Sequence, residues 1–544
     1  MDCQVVHICD CIPARLPQAL AELPKTLDET YERTLRGINE ANWEFAHRMF
    51  QFVSVASRPL HAKELADLLA FDFEAGSIPK FHEDWRLGDP ANAVLSTCST
   101  LLAIVDDEGS SVIQFSHFSV KEFLTSTRLA EAPGVTRRYH ISMTRAHTLA
   151  AQACLGILLH LDKDVTRDSL EDFPLAEYAA EHWVDHALYE GVSRNVGDGM
   201  KQLFDPSKPH LAICVWIKDP EVWRRPRKGI PRIKTPRPLC HTSLYYAVSW
   251  GLHTVVEFLI TEHSHDASSR DPTNNDTPLH QASYLGQVDV ARVLIERGAD
   301  LTARDCDGKT PLLLALNAGA EDVARLLTEH GADVTARCDG RWTPLHYASC
   351  GGHVDVARML IERGADLTAE TDFGETPLHL ALQEGQVDIA RMLIERGADV
   401  TDRTRDWRTP LHLVSHKGVD VACMLIERGA DVSARTIAGG TPLHLVSYEG
   451  DVDVARMLIE HGADVSAQNG CGETPLHLAS TPSFWARDTP QKHAELVHML
   501  LEHGADINAR NKNGLTPFVL AMQGGLAEII DVLVEHGAAH DNPN

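Results

Sequence analysis

Three groups of residues have types and spacing that could support chemistry. Ala303-Arg304-Asp305-Cys306-Asp307-Gly308-Lys309-Thr310 fits a relaxed phosphate-loop pattern with alanine in place of the first glycine. Such a loop would cradle nucleotide phosphates on backbone N–H groups and a lysine. Cys3, His7, Cys9 and Cys11 lie close enough together to suggest zinc, and the chain holds 30 histidines. Context removes each reading. A phosphate loop follows a buried strand and opens a long helix, whereas Thr310 belongs to a short motif that recurs along the chain. Cys-x-Cys lacks the spacing of a structural zinc site. Six histidines sit in Thr-Pro-Leu-His, and others end Glu-His-Gly strings at His330, His461, His503 and His536. There is no His-Glu-x-x-His and no Gly-x-Ser-x-Gly. The expectation is a chain with no catalytic residues, no cofactor and no metal.

The elements that position the remaining candidates come from the repeat. Thr-Pro-Leu-His starts at Thr277, Thr343, Thr376, Thr409, Thr441 and Thr474, with degenerate versions at Thr242, Thr310 and Thr516. Successive spacings are 35, 33, 33, 33, 33, 32, 33 and 42 residues. Threonine is a good helix N-cap, and proline at the first helical position has no N–H to satisfy. In one unit Pro377 to Leu382 reads as a short inner helix, and Gly385 can end it in the left-handed conformation. Val387 to Ile394 is an amphipathic outer helix ended by Gly397, and Ala398-Asp399-Val400 starts an extended finger to the next threonine. Two such helices cannot bury a core alone, so neighbours must stack. These residues resemble the ankyrin repeat. The resemblance covers 240–540 as nine repeats and implies an α-helical solenoid whose fingers and inner helices bind proteins.

Three departures matter. Ser243 and Tyr245 in the first unit, and Phe518 and Val519 in the last, read as end caps. The unit at Thr409 lacks one residue near Gly418-Val419, which predicts only a shortened loop. The unit at Thr474 carries nine extra residues within 481–493, including Phe484 and Trp485.

The outer helix barely changes between units, while the fingers and inner-helix ends vary. The fingers supply Lys309, Trp342, Phe373, Trp407 and Arg408, and the inner-helix ends supply Tyr284, Gln383, His416 and Tyr448. Aromatic residues and arginine are frequent interface anchors. These nine residues are the candidate partner-binding groove; the alternative is that they vary because they are solvated.

Residues 24–130 read as a separate domain. Thr26 and Glu29 form a capping box before a helix from Leu27 to Ile38. Further helical patterns run through Phe45 to Val53, Ala62 to Leu69 and Ala91 to Leu102. Leu102–Val105 and Val112–Phe115 make a hairpin around Asp106-Asp107-Glu108-Gly109, and a last helix covers Ser119 to Leu129. Helices followed by a two-stranded wing predict a winged helix. Phe115-Ser116-His117-Phe118-Ser119-Val120-Lys121-Glu122-Phe123-Leu124, with Leu23 to Glu32, resembles fungal NLR-like signalling NTPases of the STAND class. There the segment follows the NACHT nucleotide-binding domain, and the fold is also catalogued as the winged helix of GPI inositol-deacylase-like proteins. The resemblance implies a NACHT partner, and a histidine at the His117 position that contacts nucleotide phosphates in the closed state. His117 is thus either the relic of a nucleotide sensor or an ordinary hydrogen-bonded core histidine.

Residues 1–23 read as an N-terminal remnant and 131–221 as a helical linking region, with helices at His140 to Leu161 and Leu175 to Tyr189. Residues 222–239 form a basic Pro-rich linker holding Arg224, Arg225, Arg227, Lys228, Arg232, Lys234 and Arg237. It is either a solvated linker or a segment for nuclear import or an acidic partner. Elsewhere acid dominates: 77 Asp and Glu against 50 Lys and Arg give a net charge of −27. The would-be recognition helix Ala91 to Leu102 has no Lys or Arg and the wing tip is acidic, which argues against nucleic acid. The longest apolar stretch, Leu149 to Leu161, is too short to span a bilayer, and no signal peptide or lipidation motif is evident. Twelve cysteines are too sparse for a disulfide scaffold. The expectation is therefore a mainly α, cytoplasmic protein, with the nucleus open. It is a winged helix, a helical linker and an α-solenoid, acting as the recognition arm of an NLR-like protein without its NTPase domain. The alternatives are a free-standing adaptor and a fragment of a regulated NTPase encoded upstream.

Overall fold

The structure is a computed structural model that describes residues 27–86, 88–98, 101–107, 110–218, 235–236, 239, 241–271, 274–414, 418–481 and 490–538. The N-terminal remnant, Thr26 of the capping box, nearly all of the basic linker, His416, and Phe484 and Trp485 lie outside the described residues. The chain forms two compact units, Met1–His265 and Asp266–Asn544.

In the first unit, α1 (Leu27–Gly37) buries Tyr31 and Leu35, and α2 (Trp43–Val55) buries Ala46, Met49, Phe50 and Phe52 on a helical stripe. Strand β1 (Leu60–His61) leads into α3 (Ala62–Ala66), whose Glu64 carboxylate accepts the His61 N–H at 2.7 Å and pairs with Arg58 at 2.6 Å. A small antiparallel pair, β2 (Phe71–Asp72) and β3 (Lys80–Phe81), precedes α4 (Pro90–Cys98). The wing is β4 (Leu102–Asp107) against β5 (Ser110–Phe115), with Ile104 opposite Ile113, and β1 joins the free side of β5. This is a winged helix. Strand β1 is only two residues long, so no periodicity announced it.

The last helix of this domain is broken in two, α5 (Phe118–Leu124) and α6 (Thr127–Ala130). Thr125 turns its hydroxyl back onto the Lys121 carbonyl, and Ser126 caps the second piece by accepting the Leu129 N–H. The region expected to link the two halves also packs on the winged helix. Helix α7 (Met143–His160) lies against α2 and against α9 (Leu175–Ala187), which follows the short α8 (Arg167–Leu170). Phe52 meets Tyr178 at 5.6 Å. The Ser57 N–H donates to the Tyr178 hydroxyl at 3.1 Å, and that hydroxyl is 2.9 Å from His186 Nε2. His186 Nδ1 in turn lies 3.0 Å from His147 Nδ1. Burial holds His186 neutral, its pKa lowered to about 4.

Helices α10 (Ser193–Phe204) and α11 (His210–Lys218) were not anticipated. Gly197 and Gly199 lower the helix propensity of α10, but Gly199 leaves room for the Ile78 side chain. The first helix pair of the repeat series, Ser243–Ser249 and His253–Glu262, belongs to this unit. Its Trp250 meets Trp183 and Phe204 edge-on at 5.8 and 5.7 Å.

The second unit repeats one design. Inner helices such as Pro311–Asn317, Pro344–Gly351 and Pro377–Gln383 alternate with outer helices such as Glu321–Glu329, Val354–Glu362 and Val387–Glu395. Leu378 and Ala381 of one inner helix, and Ile389, Ala390 and Leu393 of its outer helix, are fully buried. The unit at Thr409 corrects an expectation. Its missing residue shortens more than a loop: the inner helix is only a 3-10 turn, Pro410–Leu413, after which Val414 is extended. Its outer helix, Val419–Glu427, is intact. Deletion costs less where the turn of helix, not the packing face, is lost, because Leu411 and Val414 stay buried.

Candidate partner-docking surface

Each Thr-Pro-Leu-His histidine is a staple between neighbouring fingers. In every one of the six motifs the threonine N–H donates to histidine Nδ1 at 3.1–3.2 Å. Nδ1 is thus an acceptor, so the proton of the neutral ring is on Nε2. That Nε2–H reaches a carbonyl in the next finger: Lys309 from His280 (3.0 Å), Glu375 from His346 (3.1 Å), Gly440 from His412 (3.4 Å), Glu473 from His444 (3.0 Å) and Leu515 from His477 (3.1 Å). Burial pushes the pKa of all six rings down, to about 4 for His346, His379 and His412. These six histidines are structural staples of the repeat. His379 departs from the pattern: its buried Nε2 faces the Arg408 carbonyl without closing a hydrogen bond.

The fingers themselves form a ladder. One backbone N–H of each finger donates to a carbonyl of the finger before it: Cys306 to Asn274, Asp339 to Asp307, Asp372 to Gly340, Arg405 to Phe373, Ile437 to Asp406, Gly470 to Ala438 and Lys512 to Cys471, all within 2.7–3.1 Å. This ladder sets a common register for every tip. At one register position the backbone has positive φ. Glycine holds it at Gly308, Gly374, Gly439, Gly472 and Gly514, but Asn275 (φ 62°), Arg341 (φ 65°) and Trp407 (φ 62°) hold it in three fingers. A side chain there costs about 1–2 kcal/mol, because Cβ crowds the carbonyl in the left-handed region. Both departures in the Trp407 finger, the strained tip and the open His379 staple, fall on the same hairpin.

The nine candidate groove residues do not behave alike. Phe373 and Trp407 are 66% and 53% exposed on adjacent finger tips. Arg408 is exposed beside them, and Arg403 stacks its guanidinium 5.8 Å from the Trp407 ring. Tyr284, Gln383 and Tyr448 are exposed at inner-helix ends. Trp342 is half-buried and packs on Leu313, Ala336 and Cys338, with its ring 4.9 Å from Tyr347. Its packing fastens two fingers together, so much of its surface is already used. Lys309 is also half-buried: its ammonium lies 3.7 Å from Asp307, and its backbone closes a tight hairpin with Asp305. That hairpin is a finger tip, with neither the preceding strand nor the long helix of a phosphate loop.

Sequence reasoning missed Ile437. It is 66% exposed on the next finger, and it completes an apolar row with Phe373 and Trp407. Aromatic residues and arginine are the usual interface anchors, and an isoleucine carries no such mark. Electrostatics differ along the edge. Asp276 is pushed up to about 6 by burial and by Asp305, Asp271 and Asp307, so the first fingers are crowded with acid. The Trp407 finger instead exposes Arg403, Arg405 and Arg408.

His117 is not a core histidine. It is exposed at the N-terminus of α5, where its Nδ1 accepts the Ser119 N–H and lies 2.7 Å from the Ser119 hydroxyl. Ser119 also bonds the Tyr31 hydroxyl at 2.8 Å, which ties α5 to α1. The neighbouring Phe118 is 73% exposed.

The motif geometry is matched by families of known proteins. Residues 231–305, 302–371, 335–404 and 367–436 match ankyrin repeats (three copies), 425–479 match ankyrin repeats (many copies), and 471–512 match a single ankyrin repeat. The chain is an ankyrin-repeat protein. Residues 31–134 match the GPI inositol-deacylase winged helix domain, so the ankyrin array follows a winged helix of that type. A similar protein is "Azaphilone pigments biosynthesis cluster protein L" from Monascus ruber, 30% identical over 299 residues, or 52% of this chain. The chain spans only 61% of that relative's length. Ankyrin repeats support a protein-interaction role. No helix among the described residues is long and apolar enough to cross a membrane.

Proposed function

We propose that the chain is the recognition arm of an NLR-like signalling protein. Its nine ankyrin repeats (240–540) hold a protein partner, and its winged helix (24–130) docks on a NACHT domain supplied in the same or another polypeptide. The helical region 131–221 and the basic linker 222–239 join the two parts. The observation that carries partner binding is the row of exposed Phe373, Trp407 and Ile437 on successive fingers. Exposed apolar side chains on successive fingers are a surface that burial by a partner would stabilise. Tyr284, Gln383, Arg408 and Tyr448 border the same groove, and Lys309 and Trp342 shape it; His416, the ninth candidate, lies outside the described residues. For the winged helix, exposed Phe118 and His117 at the start of α5 are the docking edge, with His117 Nε2 free of a hydrogen bond to a described residue and able to meet a phosphate.

The test is co-purification with the tagged full chain from its own cells. Partners should be recovered with the unaltered chain and lost with Phe373→Ser/Trp407→Gly/Ile437→Thr, while Phe118→Asp should lose a nucleotide-binding protein and keep the others. Equal recovery with all three would refute the reading. A second reading, a free-standing adaptor for biosynthetic proteins, is favoured by the likeness to a pigment-cluster protein. It predicts recovery of biosynthetic enzymes and no nucleotide-binding protein.

A further inference from the structure

Resting on the protein-binding reading, we propose that the finger edge from Phe373 to Ile437 docks an extended, acidic peptide segment carrying aromatic or aliphatic side chains. The segment runs along the array across three fingers. Its apolar side chains cover Phe373, Trp407 and Ile437, and its carboxylates meet Arg405 and Arg408.

Four observations converge on this edge. The three apolar side chains are among the most exposed large hydrophobic residues in the second unit, and they sit on consecutive tips joined by backbone hydrogen bonds: Arg405 N–H to Phe373 at 2.8 Å and Ile437 N–H to Asp406 at 3.0 Å. A ligand touching all three must therefore be elongated and cross the fingers. Trp407 occupies a left-handed position that five other fingers give to glycine, so its side chain is presented at the expense of backbone strain. The neighbouring staple is incomplete as well, since His379 Nε2 has no hydrogen bond to the Arg408 carbonyl. A finger built only for stability would carry glycine there.

Charge selects the ligand class. Arg405 and Arg408 are exposed and form no ion pair with a described residue, in a chain of net charge −27. Guanidinium groups beside an apolar ridge bind carboxylates in paired hydrogen bonds. The first fingers, with Asp271, Asp276, Asp305 and Asp307, would repel the same segment, which fixes its place along the array. A nucleic acid is disfavoured, because its evenly spaced phosphates would also meet Glu370, Asp372, Asp402 and Asp406 on this edge. A peptide can place single carboxylates between them.

A display library of random peptides, panned on the full chain, tests the inference. Recovered peptides are titrated by fluorescence anisotropy against the full chain and two variants. The finger variant is Arg405→Asp/Trp407→Gly/Arg408→Glu. Each new residue already stands at that register in another finger, as Asp372, Gly374 and Glu375 do, so the variant should fold. The inner-helix variant is Tyr284→Ser/Tyr448→Ser. The expected peptides combine Asp or Glu with aromatic or aliphatic residues, and lose about tenfold or more in affinity on the finger variant only. Basic or uncharged peptides, or equal affinity for the finger variant, would overturn the inference. Peptides weakened only by the inner-helix variant overturn it while leaving protein binding by the groove intact. Recovery of no binding peptide overturns it too, and co-purification from cells decides protein binding separately.

Discussion

Acid should unfasten the ankyrin array, because its staples work only as neutral histidines. In the folded chain His346, His379 and His412 have pKa values lowered to about 4, with burial as the main cause. In the unfolded chain they return to about 6.5. Between those values the unfolded state binds protons that the folded state refuses, so stability falls as pH falls. The contribution is intact above pH 6.5, declines as pH drops through that value, and stops changing below about 4. At pH 5.5 each ring costs about 1.4 kcal/mol, and the three together roughly 4 kcal/mol. Asp276 works in the opposite sense. Its folded pKa is raised to about 6, so its protonation at pH 5.5 returns about 0.8 kcal/mol. A net loss of about 3 kcal/mol is expected between pH 7.5 and 5.5, centred on the repeats from Thr343 to Glu427. Hydrogen exchange read by mass spectrometry, corrected for intrinsic rates, would follow opening of the outer helices Val354–Glu362 and Val387–Glu395. His346→Gln/His379→Gln/His412→Gln should be less stable at pH 7.5 and markedly less pH-dependent between the two values, with His280, His444 and His477 left to contribute. Protection in the unaltered chain that is the same at both pH values, or a variant with an equally steep pH dependence, would refute the assignment of these rings as neutral staples.

Three substitutions separate packing from display. Trp342→Ala should destabilise the array by about 2 kcal/mol in urea unfolding, since it empties the half-buried cluster around Leu313, Ala336 and Cys338, whereas Phe373→Ala should change it by less than about 0.5 kcal/mol. Trp407→Gly should leave stability unchanged or raise it by up to about 1 kcal/mol: relief of left-handed strain, about 1–2 kcal/mol, outweighs the added freedom of the unfolded chain and the lost Arg403 contact. In the first unit, Tyr178→Phe should cost about 1–2 kcal/mol and leave the repeats unaffected, because the Ser57 N–H and His186 Nε2 both lose their partner. A melt of the full chain followed by circular dichroism, with exchange data to say which unit opens, would check each value.

Much of this architecture is readable from the sequence for one physical reason: each repeat states its own boundaries. Threonine, proline and glycine mark helix ends through local hydrogen bonding and backbone sterics, which need no knowledge of distant residues. The wing was legible for a similar reason, since alternation and a turn are local. What escaped depended on distant partners. Strand β1 is two residues that become a strand only because β5 offers an edge. Helix α10 keeps Gly199 because Ile78 needs the space. His117, open from sequence between a nucleotide-sensor relic and a core histidine, caps a helix in solvent. At the docking surface, type alone could not separate Trp342 from Trp407. The two belong to different registers: Trp342 aligns with Lys309 and Arg408, and Trp407 with Gly308 and Gly374. One residue of register decides whether an indole fastens two fingers or faces solvent.

That difference bears on how such an array can acquire a ligand without losing its fold. The threonine caps, the histidine staples and the outer helices recur almost unchanged from unit to unit, and they bury their side chains. They carry the stability, which in a stacked repeat is a sum of local and nearest-neighbour contributions. A strained tip in one finger is then held in place by the fingers on either side. Trp407 can adopt an unfavourable backbone because the hydrogen bonds from Arg405 to Phe373 and from Ile437 to Asp406 clamp its hairpin from both sides. The cost stays local, and so does the gain: an exposed indole in a fixed orientation needs little further ordering when a partner covers it. The repeat thus separates the residues that make it fold from those free to make it recognise, and Trp407 stands where the two demands meet.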